Sequence, residues 1–97
     1  MVDVIEATKK ANAGADMEAF RESNLGKIFI EKAKREEIAA LVKLADVDPK
    51  NDDAIRKLQF ESKIPAAALK WIEQTISEGE QAKSELKMKE GQIDRGY

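Results

Sequence analysis

Few residues in this chain could do chemistry. The 97-residue sequence contains no histidine and no cysteine, which removes imidazole proton shuttles, thiolate nucleophiles, disulfides and the nitrogen and sulfur metal ligands. What remains is carboxylate: nineteen Asp and Glu, with adjacent pairs at Glu36-Glu37 and Asp52-Asp53. Two carboxylates aimed at one place can share acid and base roles or hold a divalent cation. Neighbours on a helix diverge by about 100°, so each pair points two ways and serves solvation or helix-terminus electrostatics instead. The glycines Gly14, Gly26, Gly79, Gly91 and Gly96 are isolated, and neither a phosphate-cradling loop nor an acidic calcium loop is present. The sequence therefore predicts no catalytic residue, no cofactor or metal site, and no enzyme.

The elements that would carry any binding role are helices. Charged residues make up 37% of the chain and aromatics 5%, with only two prolines, a balance that suits long exposed helices better than sandwiches or barrels. The expected fold class is all-α: an antiparallel helical hairpin of two long helices, the second kinked or broken near Pro65, with a short N-terminal helix or arm. Residues 1–15 read as the arm, because Asn12-Ala13-Gly14-Ala15 is a composition that ends a helix. Residues 16–90 read as the hairpin domain and 91–97 as a flexible tail. Asp16 would cap a short helix from Met17 to Glu22, and Ser23-Asn24 offers a fresh cap where the apolar phase jumps from Phe20 to Leu25.

The first long helix is expected from about Asn24 to Ala45, with Leu25, Ile28, Phe29, Ala33, Ile38, Leu41, Val42 and Ala45 as its buried stripe and Glu31-Arg35 as a favourable i,i+4 pair. Asp46 to Lys50 reverses the chain, placing Leu41, Val42, Ile55 and Leu58 in contact, and Asp48 or Asn51 caps the next helix. In a hairpin centred there Leu25 faces Ile72, Ile28 faces Leu69, and Gly26 lies level with Trp71, leaving room for the indole. In the second helix, positions 55, 58, 62, 65, 69, 72, 76, 79, 83, 86, 90 and 93 alternate three and four apart, as a coiled coil would. Ser62, Pro65, Gly79 and Lys83 interrupt the aliphatics of that seam. Pro65 either kinks a continuous helix, which the unchanged phase on both sides favours, or opens a new one after a turn at Lys63-Ile64. Ser77-Glu78-Gly79-Glu80 reads as a further break or hinge, since Gly79 can end a helix and Ser77 with Glu80 can start one.

A second apolar face, Phe60, Ile64, Ala67, Ala68 and Trp71, lies beside the seam and is the candidate interface, although the tryptophan alone reads first as a core residue. Net charge is −2 with acids and bases interspersed, so nucleic-acid binding is not expected. The six-residue apolar run Ile64 to Leu69 is far too short to span a membrane, and the N-terminus lacks the pattern of a signal peptide, which points to a soluble cytoplasmic protein.

Leu25-Gly26-Lys27 after an acidic segment, Asp48-Pro49, Leu58-Gln59, Trp71-Ile72 and Glu78-Gly79-Glu80-Gln81-Ala82 leading to Leu86 together resemble small uncharacterised helical proteins encoded among the structural and packaging genes of tailed bacteriophages. Pro65 departs from the uninterrupted second helix expected in such proteins. The resemblance implies a phage or prophage origin, a host-cytoplasmic site of action and a role in particle assembly, with phage structural or packaging proteins as partners. The leading functional expectation is a self-associating, non-enzymatic assembly or adaptor protein. The alternatives are a helix-turn-helix DNA-binding module over Leu58 to Ile76, which its single basic residue in 65–74, Lys70, argues against, and a small inhibitor of a host enzyme.

Overall fold

A computed structural model describes residues 3–95 of the chain. The described residues form three helices: α1 (Val4–Glu22), α2 (Asn24–Asp46) and α3 (Asp52–Arg95). The fold is all-α, as the composition implied. Two compact units divide it, one formed by α1 and the part of α3 from Ile72 onward, the other by Ser23–Trp71.

Each helix begins where a short polar side chain can accept from its unpaired amides. The Asp3 carboxylate accepts from the backbone N–H of Ile5 and Glu6, at 3.0 and 3.2 Å. Ser23 Oγ accepts from Gly26 N–H at 3.0 Å, and Asn51 Oδ1 from Ala54 N–H at 3.1 Å. Asp48 accepts from Lys50 N–H at 2.9 Å, so it shapes the turn while Asn51 caps the helix. Asn51→Ala is expected to cost about 1 kcal/mol, measurable as a lowered thermal midpoint. No change on melting would mean that the turn and not the cap starts α3.

Three expectations about breaks are corrected. Asn12 to Ala15 lie inside α1, which runs unbroken through the residues read as an arm and through the expected cap, Asp16. α3 passes through Lys63-Ile64-Pro65 and through Ser77 to Glu80 without a turn, so neither the second helix start nor the hinge is present. No glycine among the described residues has a positive φ. Local composition marked these points as breaks; packing overrides it. The backbone of the expected tail is helical as far as Arg95, and Gly96 and Tyr97 lie outside the described residues.

Gly14 and Gly79 explain why two helices tolerate a mid-helix glycine. A Cβ on Gly14 would stand 2.6 Å from Gly79 Cα and 3.1 Å from the Thr75 carbonyl oxygen, and one on Gly79 would stand 2.9 Å from the Lys10 carbonyl oxygen. The two backbones meet where any side chain would hold them apart. Further along the same pair, Arg21 Nη1 lies 3.5 Å from Glu73 Oε1. Residue numbers therefore rise along α1 as they fall along α3 within this unit. An ion pair this exposed contributes at most about 1 kcal/mol; the glycine contact sets the packing.

In α2 the buried positions are Gly26, Ala33 and Ala40, each seven residues after the last, with Val47 following half-buried. The expected stripe is corrected accordingly: Leu25, Ile28, Phe29, Ile38, Leu41 and Val42 are exposed, and of that stripe only Ala33 is buried. Of the other aliphatics of α2, Ile30 and Leu44 are half-buried beside this series. Gly26 sits in the first turn of α2 beneath its Ser23 cap. In α3 the expected seam holds as far as Gly79: Ser62, Pro65, Ile72, Ile76 and Gly79 are buried, with Ile55, Leu58 and Leu69 half-buried. It then shifts by one residue, burying Ala82 and exposing Lys83, while the side chains of Glu90 and Ile93 lie outside the description. The hydroxyl of the buried Ser62 donates to the Gln59 carbonyl at 2.8 Å, so its polarity is satisfied within its own helix.

Candidate interaction surface

Among the described residues the buried apolar positions are Ala7, Ala33, Ala40, Ile72, Ile76 and Ala82, and no side chain is completely buried. Only two of the six are large. Burying a large aliphatic is worth about 1.5–3 kcal/mol, several times what an alanine methyl provides, and the other large apolar side chains described are half-buried or exposed.

The exposed large apolar side chains are concentrated in one unit. Of twelve exposed large hydrophobics, nine belong to Ser23–Trp71: Leu25, Ile28, Phe29, Ile38, Leu41, Val42, Phe60, Ile64 and Trp71.

The predicted interface residues divide along this line. Phe60, Ile64 and Trp71 are 65%, 56% and 64% exposed, while Ala67 and Ala68 between them are half-buried. Trp71 is therefore a surface residue and not the core residue that tryptophan alone suggests. The spacing of these five positions places them on one side of α3. What the sequence reading missed is the outward face of α2, whose residues it had assigned to the core. The repeat of Gly26, Ala33 and Ala40 was the available signal.

Polar groups add little that could act on a substrate. Glu36, Ala39, Ala40 and Lys43 of α2 and Glu61, Ile64 and Pro65 of α3 line an open groove of about 320 Å³. Its lining combines small or apolar residues with charges of both signs. Glu36 and Asp52 and Asp53 are exposed, and Glu37 is half-buried. Among the described residues no group of three or more potential metal ligands is brought together, and no helix is long and apolar enough to cross a membrane. No family model, curated protein or solved structure matches the chain.

Proposed function

We propose that this is a non-enzymatic helical assembly or adaptor protein that self-associates, built on an antiparallel hairpin of α2 and the first part of α3 whose outer surfaces are contact surfaces. One observation carries the reading: small residues occupy the buried positions of α2 while Leu25, Ile28, Ile38, Leu41 and Val42 are exposed. A sequence under pressure only to fold would be expected to place them the other way round. The stripe Phe60, Ile64 and Trp71 on α3 adds the aromatic content typical of contact hot spots. The resemblance to small proteins of tailed-phage structural and packaging gene clusters supplies the setting: a morphogenesis accessory acting in the host cytoplasm on phage structural or packaging proteins. The helix-turn-helix alternative loses support, because α3 has no turn between Leu58 and Ile76.

Light scattering tests this. The wild-type protein is expected to have a mass that is a multiple of its 10.8 kDa chain. Substituting Phe60 and Trp71 together by Ala should leave helicity unchanged and alter chain stability by about 1 kcal/mol or less, as for surface positions, while reducing binding to partner proteins. A protein that stays monomeric at high micromolar concentration and binds no component of a phage particle would overturn the reading.

A further inference from the structure

The outward face of α2 has a pattern of its own. Positions 28, 31, 35, 38, 42 and 45 alternate three and four apart and hold Ile28, Glu31, Arg35, Ile38, Val42 and Ala45. All six are exposed, Ile28 and Ile38 by 64% and 61%. They lie opposite the buried series Gly26, Ala33 and Ala40, so α2 has one small-residue seam and a second seam of aliphatics flanking a pair of charges. Glu31 and Arg35 already approach within 3.1 Å on the same helix.

We infer that this face is a two-fold seam that takes the α2 of a second copy of the chain, antiparallel, with the dyad at the height of Ala33. The inference rests on the self-association reading and specifies its geometry. A two-fold interface is self-complementary, so residue i meets residue j and j meets i. With the dyad at Ala33, Ile28 of each copy meets Ile38 of the other, and Glu31 meets Arg35. Four charges then alternate in sign at the centre, with an aliphatic layer on either side. Lys32 and Lys34 flank the centre and reach solvent on their long stems.

The other registers compatible with the spacing are worse on the same residues. Moving the pairing by one heptad towards the C-terminus sets Glu31 against Val42 and Arg35 against Ile38, desolvating the Glu31-Arg35 pair with no charge of the other copy to offset the cost. Moving it the other way sets Ile28 against Glu31. A parallel pairing stacks Glu31 on Glu31 and Arg35 on Arg35, which like-charge repulsion opposes. Charge complementarity thus selects both the direction and the register.

Charge reversal reads the register directly. Glu31→Arg alone and Arg35→Glu alone should each weaken association by at least about tenfold, since like charges then meet across the dyad. Mixing the two variants should restore it. The arginine introduced at position 31 of one copy then meets the glutamate introduced at position 35 of the other, and the unchanged Arg35 of the first meets the unchanged Glu31 of the second. Cross-linking provides the second measurement, since the native chain has no cysteine. Ile28→Cys and Ile38→Cys proteins should form a disulfide-linked dimer when mixed and oxidised, and little when oxidised separately, because like positions lie about 15 Å apart along the axis. If the wild type associates but mixing restores nothing and no mixed disulfide forms, this seam is wrong and self-association stands through another surface. If the wild type is monomeric, both readings fail. Circular dichroism of each variant confirms that the helices are intact.

Discussion

Truncating Ile76 to Ala is expected to destabilise the protein by about 2–5 kcal/mol, the range for deleting most of a buried aliphatic side chain. Ile76 and Ile72 are the large buried aliphatics of the unit formed by α1 and the later part of α3, where the other buried apolar side chains, Ala7 and Ala82, are small. Small domains are stable by only about 5–15 kcal/mol in all, and each kcal/mol moves the thermal midpoint of a chain this size by about 4–8 °C. A drop of roughly 10 °C or more should therefore be visible by circular dichroism. A shift of only a degree or two would mean that Ile76 is not part of what holds α3 in place.

Enlarging the glycine contact between α1 and α3 should have the next largest effect, with a sign that separates packing from propensity. In an isolated helix Gly79→Ala stabilises by about 1 kcal/mol. Here the added methyl meets Gly14 Cα at 2.6 Å and the Lys10 carbonyl oxygen at 2.9 Å. Both are backbone atoms, so no side-chain rotation relieves the clash and the helices themselves must move. Overpacking of this kind typically costs about 1–3 kcal/mol, enough to cancel or exceed the propensity gain. Gly79→Ala and Gly14→Ala are each expected to leave the thermal midpoint level or lower it, and Gly79→Leu to lower it decidedly. Because the two glycines share one contact, the double alanine variant should cost less than its singles combined, once the helices have parted. A midpoint raised by either alanine substitution would show that the close approach is not needed.

Composition and period alone were sufficient for the all-helical class, for the Glu31-Arg35 pair and for most of the α3 seam up to Gly79. These depend on spacing along one helix, and a 3.6-residue repeat is written into the order of the residues. Asn51 and Ser23 were also legible as caps, because capping is a contact between residues three apart. The continuity of α1 through Gly14 and of α3 through Pro65 and Gly79 was not legible. Each of those residues disfavours a helix locally, and what offsets the penalty at Gly14 and Gly79 is a backbone contact between residues 65 positions apart. The inner face of α2 was misread for a related reason. Hydrophobicity ranks Leu25, Ile28, Leu41 and Val42 above Gly26, Ala33 and Ala40, yet which arc of a helix turns inward depends on how near its neighbour comes. Here the small Gly26, Ala33 and Ala40 are buried, Ile30 and Leu44 are half-buried, and Leu25, Ile28, Leu41 and Val42 are exposed. The candidate interface on α3 lay within reach of the sequence because its aromatic residues stand off an already regular seam. The face on α2 became visible only once tertiary packing showed which residues the fold does not use.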